Sequence, residues 1–232
     1  MNDRRRAPRL ALMASVLLVI SMVALNALMA AHFMAFDLGF YRARWLENRV
    51  TGDTGMSIDD LSRAGRALLD YFTGTVDTPQ LLFTIDGRRA LYNDAELAHL
   101  KDVRSLFRMG LTLEQVLAAE TIGIGLYLLK SGNKRALARS FLIAAGVSVA
   151  ILLALAIPAK LDFAGWWTDF HLVTFSNDLW RLDPSTDWLI RMFPEEFFFS
   201  AVQRVGFYSS GISLAYGGLG LLIGHFPAHH RH

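Results

Sequence analysis

The stretch LALMASVLLVISMVALNALMAA, residues 10–31, decides what kind of protein this is. Only Ser15, Ser21 and Asn26 interrupt its apolar character. A helix needs roughly 20 mostly apolar residues to cross about 30 Å of hydrocarbon, and this run meets that requirement. Arg4, Arg5, Arg6 and Arg9 precede it, as in a secretory signal. The run is longer than the roughly 7–15 residues of a signal's apolar region, so it reads as a retained anchor. More than half of the 232 residues are apolar, which is outside the habit of a soluble domain.

Three further segments are candidates for spans. Residues 141–159 and 197–224 are plainly apolar, whereas 111–130 contains Glu114, Gln115 and Glu120 and is accepted because it makes the number of spans even. The connector between the second and third spans carries Lys130, Lys134, Arg135 and Arg139 and no acid. By the positive-inside rule it is cytoplasmic, together with the N-terminus. The expected layout is a cytoplasmic N-terminus at 1–9, spans at 10–34, 111–130, 141–159 and 197–224, a cytoplasmic loop at 131–140, and a cytoplasmic tail at 225–232. Residues 35–110 and 160–196 then lie on the outer face. The fold class is an all-α integral membrane protein, a four-helix bundle with an extracytoplasmic cap.

The chain has no cysteine. That excludes a disulfide framework, a thiolate nucleophile, cysteine-based zinc or iron-sulfur sites and lipidation of its own thiols. An ionisable group at membrane depth is expensive and is normally paired or functional. Counting about 1.5 Å per residue from the outer ends puts Glu120 and Arg204 at similar depth, so they are expected to form a structural ion pair. Tyr41, Trp45, Trp166, Trp167, Phe197 and Phe198 fall where an outer aromatic belt belongs. Gly217-Gly218-Leu219-Gly220 predicts close helix packing in the fourth span.

In the first outer segment, Ser57 with Asp60 three residues on precedes Leu61, Ala64, Leu68, Leu69 and Phe72 at helical spacing. This predicts an amphipathic helix, packed on the cap or lying on the bilayer. Two short strand-like runs flank Asp86-Gly87, the signature of a small β-hairpin. Asn93 or Asp94 then caps a helix running towards the second span. On it Glu96, His99 and Asp102 recur every three residues, so the imidazole has carboxylates on its own face. A neighbouring carboxylate raises a histidine's basicity and can fix its tautomer. The alternative is a surface helix of alternating charge. The second outer segment is dense in aromatic and acidic residues, with Phe170-His171 and a long run from Asn177 to Phe198. It reads as a structured loop that dips towards lipid, or as an ordinary belt loop with Asn-Asp and Asp-Pro turns.

The run Glu96-Leu-Ala-His-Leu-Lys-Asp-Val-Arg104, the pair Phe170-His171, and Asn177-Asp-Leu-Trp-Arg-Leu-Asp-Pro184 continuing through Leu189 to Phe198 resemble the bacterial lipoprotein intramolecular transacylases. The resemblance, which includes span order, covers most of the chain. It implies a bacterial cytoplasmic-membrane acyltransferase whose active site faces outwards. The family moves the sn-2 acyl chain of a lipoprotein's diacylglyceryl-cysteine onto the α-amine of the same cysteine. The partners implied are that lipoprotein N-terminus and membrane lipid, with no nucleic acid. On this resemblance His99 and His171 are the functional histidines. Asp102, Asn177, Asp178, Arg191 and Glu195 are supporting or substrate-binding positions.

The chemistry such a reaction needs can be set against the residues. An α-ammonium, with a pKa near 8, must lose a proton before it attacks an ester, a task within reach of a histidine. His99 is the candidate base, Asp102 its orienter, and His171 or Arg191 the donor to the oxyanion. Nucleophile and ester belong to one molecule, so holding it folded back supplies much of the rate. No cofactor, metal or acyl-enzyme is called for. Two alternatives stay open: a zinc hydrolase with His99, His171 and His32 as ligands, and a non-catalytic membrane protein that binds lipoproteins or envelope lipids.

Overall fold

A computed structural model describes residues 3–80, 82–83 and 89–225. The described residues form nine helices and one minimal pair of strands, and they divide into two compact units. The first unit comprises residues 1–32, 111–155 and 205–232, and the second 33–110 and 156–204.

The first unit is built from α1 (Asp3–Ala35), the later part of α5 (Asp94–Lys130), α6 (Lys134–Leu161) and α9 (Glu195–His225). All four helices are long and apolar enough to cross a membrane. In α5 the charged residues Asp94, Glu96, Lys101, Asp102, Arg104 and Arg108 crowd the first half. Its apolar part therefore begins near Leu111, which is also where the first unit takes over. The interior of this unit is small: Leu18, Met22, Leu128, Leu137 and Ala144 are buried together, with Phe141 and Tyr216 packed against them. Most of the remaining large apolar side chains face outwards, as expected of helices whose solvent is lipid.

Two polar contacts join helices inside this unit. Asn26 Nδ2 donates to Ser213 Oγ at 2.9 Å and to the Ser209 carbonyl at 3.3 Å. His32 Nδ1 meets Glu114 Oε2 at 2.8 Å. One of the two acids that make the second span look weak in the sequence, Glu114, thus has a partner on α1. Of the glycines expected to permit close packing, Gly220 is the one that does so. A Cβ there would fall 2.9 Å from Leu142 Cγ and 3.0 Å from the Ala138 carbonyl, whereas Gly217 and Gly218 face open space.

The second unit contains the shorter helices. Asp37 caps α2 (Leu38–Glu47), accepting the Phe40 N–H at 2.9 Å. After α3 (Val50–Thr54), Ser57 caps α4 (Ile58–Thr73) through the Asp60 N–H at 3.1 Å. The five apolar positions expected on the buried face of α4 are all buried, so this helix packs into its unit and does not lie on the bilayer. α7 (Phe163–Thr174) is capped by Asp162, and a loop leads from it to α8 (Trp188–Met192). Of the expected hairpin only β1 (Leu82–Phe83) and β2 (Arg89–Ala90) are described, paired antiparallel. The Asp86-Gly87 turn lies outside the described residues, so the hairpin stays an expectation.

Trp45 is fully buried at the centre, its Nε1 donating to the Met192 carbonyl at 2.8 Å. Tyr41, Phe193 and Phe197 pack edge-on around one another. This corrects the belt assignment, since Tyr41, Trp45 and Phe197 form the core of this unit. Proximity in sequence to the end of a span does not distinguish a lipid-facing ring from a folded interior. Arg204 pairs with Asp37, where α1 ends and α2 begins, at 3.4 Å. The Glu120–Arg204 pair stays an expectation.

Replacing Gly220 with Val is expected to lower the stability of the detergent-solubilised protein by about 1–3 kcal/mol through overpacking. Gly217→Ala should be within about 0.5 kcal/mol of the parent, as at an open surface position. Thermal unfolding of the two variants side by side checks the pair.

Candidate active site

The site begins with how α5 starts. Asn93 Oδ1 accepts the Glu96 N–H at 3.0 Å, and Glu96 Oε2 accepts the Asn93 N–H at 2.8 Å, a reciprocal capping box. Glu96 Oε1 reaches across the sequence to accept the Leu189 N–H at 2.6 Å. The Trp188 N–H also bonds this carboxylate. Asn93 Nδ2 donates to Asp187 Oδ1 at 2.8 Å, and Asp187 Oδ2 accepts the Asp183 N–H at 2.7 Å. The first turns of α5 and α8 are thereby fastened together.

Glu96 is fully buried. Burial pushes its pKa up, and the N–H groups of Asn93 and Leu189 hold it down. The sequence placed Glu96 beside His99 as a flanking carboxylate. In the structure it is turned away to cap two helices, because buried N–H groups at helix starts have no other partner.

One turn further along α5 lies His99, and α7 brings up His171. Both are buried, at 7% and 8% exposure, and their ring centroids are 6.4 Å apart. Aromatic rings enclose them. Phe175 packs edge-on to His99 at 5.3 Å. Trp180 stacks on His171 at 4.7 Å, and Trp167 meets the same ring edge-on at 4.7 Å. Trp167 is itself stacked on Phe198 at 4.4 Å.

The hydrogen bonds distinguish the two imidazoles. His171 Nδ1 lies 2.7 Å from the Trp167 carbonyl. A carbonyl only accepts, so Nδ1 carries the hydrogen and the neutral ring presents a bare lone pair at Nε2. His99 Nδ1 is buried with no hydrogen-bond partner among the described residues. Its tautomer is therefore not fixed by the protein.

Burial, with the neighbouring His171, lowers the His99 pKa to about 4 against the pull of Asp102. Burial lowers that of His171 too, and the Trp167 carbonyl opposes it. Both rings rest neutral near pH 7.

The remaining expected residues divide. Asp102 does not hydrogen-bond His99 but accepts from Asn177 Nδ2 at 2.9 Å, so these two tie α5 to the loop after α7. Asp178 pairs with Arg181 at 2.9 Å. Arg191 donates to the Asp53 carbonyl and lies 4.6 Å over the Trp188 ring. It lines a cleft of about 470 Å³, with Asn48, Arg49 and Glu196, whose lining includes neither histidine. Glu195 opens α9 and is exposed. His32, a ligand in the zinc alternative, belongs to the first unit, where it pairs with Glu114. Trp167, Phe175 and Trp180 were passed over as site residues. The one available signal was the density of aromatic residues around Phe170-His171.

The family model described as lipoprotein intramolecular transacylase Lit matches residues 12–198. The chain belongs to the Lit family. Solved structures of the membrane-integral lipoprotein intramolecular transacylase Lit from Bacillus cereus share its fold. One has a TM-score of 0.83 at 20% identity, covering 94% of this chain and 97% of that one. A form with a histidine replaced by arginine has a TM-score of 0.80 at 21% identity, covering 96% and 95%. A form with a histidine replaced by alanine has a TM-score of 0.80 at 20% identity, covering 96% and 97%. No curated protein matches. Family and fold make this a multi-pass integral membrane protein, and the Lit name makes it a lipoprotein transacylase.

The lowered His99 pKa has a consequence for stability. A group held neutral by folding contributes stability above its unfolded pKa of about 6.5, and that contribution is lost as pH falls towards the folded value. Thermal stability is expected to drop by up to about 3 kcal/mol between pH 6.5 and 4 on this account. His99→Gln should flatten that slope in the same pH series.

Proposed function

We propose that the two-histidine cluster moves the sn-2 acyl chain of a lipoprotein's diacylglyceryl-cysteine onto the α-amine of the same cysteine, by direct transfer without an acyl-enzyme. The second unit, on this reading, faces the outside of the bacterial cytoplasmic membrane and both termini face the cytoplasm, as the lysine and arginine placement between α5 and α6 suggests. The observation that carries the proposal is the approach of His99 and His171 to 6.4 Å inside one buried aromatic cluster.

Their neutrality reshapes the roles assigned from sequence. An imidazole whose pKa is near 4 is a poor base for a resting ammonium, so the amine enters the reaction as the free base. Its nitrogen attacks the ester carbonyl carbon, forming the C–N bond while the carbonyl π electrons move to oxygen. The nitrogen then bears a positive charge, and its proton becomes acidic enough for a neutral imidazole. His171 is the better acceptor, because the Trp167 carbonyl keeps its Nε2 lone pair free. Collapse of the intermediate breaks the C–O bond to glycerol, and the departing alkoxide takes up the proton that His171 accepted, which leaves both rings neutral. His99, with its tautomer unfixed, suits a relay of that proton, accepting at one nitrogen and releasing from the other. The products are an amide and a free sn-2 hydroxyl, with no net proton gained or lost from the free amine. Asp102 and Asn177 support the site by tying the two chain segments together.

Exposed Leu161, Leu172 and Val173, at the end of α6 and along α7, suit a reaction on acyl chains at a lipid surface. Expression in a host whose lipoproteins are diacylated, followed by mass spectrometry of the lipoprotein N-terminal peptide, tests the reading. The expected product is a lyso-peptide with one amide-linked chain. Removing a positioned acid-base group typically costs 10²–10⁴-fold, so His171→Ala and His99→Ala should reduce product by about that factor. An unchanged diacylglyceryl peptide with the parent protein, or full product with both variants, would overturn it.

A further inference from the structure

The indole N–H of Trp180 has no role in the scheme above, yet it is a buried donor on a ring stacked against His171. Its Nε1 is buried and finds no acceptor among the described residues. The ring is stacked on His171 at 4.7 Å with an interplanar angle of 29°, and the Arg181 guanidinium lies 4.8 Å over the ring. Arg181 is in turn anchored by Asp178 at 2.9 Å. The indole is therefore fixed from both its neighbours, His171 and Arg181.

An indole N–H can only donate, and a buried donor without an acceptor is an uncommon and costly arrangement. Buried Trp side chains usually find a partner, as Trp45 does at the Met192 carbonyl. At this cluster the two buried polar atoms without protein partners are His99 Nδ1 and Trp180 Nε1. The neutral His171, with its hydrogen committed to the Trp167 carbonyl, has a lone pair at Nε2 and no second N–H. In that state it offers no N–H to an oxyanion as the amine attacks. Arg191, the other donor expected from sequence, is engaged at the Asp53 carbonyl and over Trp188. A reaction that builds negative charge on an ester carbonyl oxygen needs a fixed donor there.

We infer that the Trp180 indole N–H is that donor, hydrogen-bonding the carbonyl oxygen of the acyl group as it becomes an oxyanion. The inference rests on the transacylase reading of this same cluster. Trp180 would then be a catalytic residue in its own right. His171 receives the proton and the indole stacked on it donates a hydrogen bond to the oxyanion, so one stack serves both changes at the reacting carbon and nitrogen.

The test uses the full-length protein in detergent or nanodiscs with a synthetic diacylated lipopeptide, product being measured by mass spectrometry. Trp180→Phe keeps an aromatic ring for His171 and Arg181 but removes the N–H. Loss of one oxyanion donor is worth about 10²–10³-fold in kcat, so a fall of that order is expected with KM changed less than about threefold. Site-specific incorporation of benzothienylalanine at 180, which replaces N–H by sulfur in a ring of nearly the same shape, should produce the same fall with unaltered thermal stability. This second replacement keeps the test decisive if Trp180→Phe unfolds. Full kcat with benzothienylalanine would overturn the inference and leave Trp180 a packing residue. A parent protein that makes no lyso-product would instead overturn the transacylase reading. A parent that is active with His171→Ala inactive and benzothienylalanine fully active would remove only the inference about Trp180.

Discussion

A single buried carboxylate holds the candidate site together. Glu96 accepts N–H groups from the starts of two helices nearly a hundred residues apart in the chain. Those N–H groups are buried, and leaving a buried donor unmet costs about 1–3 kcal/mol each, so the carboxylate can neither be removed nor turn away cheaply. Because α5 starts where Glu96 fixes it, His99 one turn later has a defined place. The same carboxylate positions α8 and, through Asp187, the end of the loop that carries Trp180. Asn177 and Asp102 close the loop's other end onto α5.

Within that frame the chemistry follows from what surrounds the imidazoles. Trp167, Phe175 and Trp180 leave little water at either ring, so both are kept neutral. A neutral pair suits a reaction in which the proton to be moved becomes acidic only after the nitrogen has attacked. It is ill suited to stripping a resting ammonium. Burial, which weakens the histidines as bases in the ground state, also strengthens any hydrogen bond made inside the cluster, because the local dielectric is low. The hydrophobic wall and the acid-base function are the same feature seen at two stages of the reaction.

Much of the architecture was legible in the sequence for simple physical reasons. Apolar runs of membrane length and the Ser57 capping pattern are local signals, and each appears in the structure as a helix or a cap. The weak second span was legible once parity was considered, but the pairing of Glu114 with His32 was not. The two histidines were found through the motifs around them, and their approach could not have been inferred from spacing. Glu96, Asp37, Trp45 and Arg191 have partners far away in sequence, and helical periodicity says nothing about which distant group a side chain will meet. The aromatic positions assigned to a lipid belt failed, since a ring at the end of a span serves equally well in a folded interior.

The histidine pair rests neutral, with His171 locked as the Nδ1–H tautomer by the Trp167 carbonyl. Nitrogen NMR of the protein labelled with ¹⁵N-histidine, with signals assigned by single substitutions of His99 and His171, measures this directly. Both rings are expected to be neutral at pH 7.5, with His171 carrying its proton on Nδ1. A His171 ring protonated at pH 7.5, or one carrying its proton on Nε2, would contradict this.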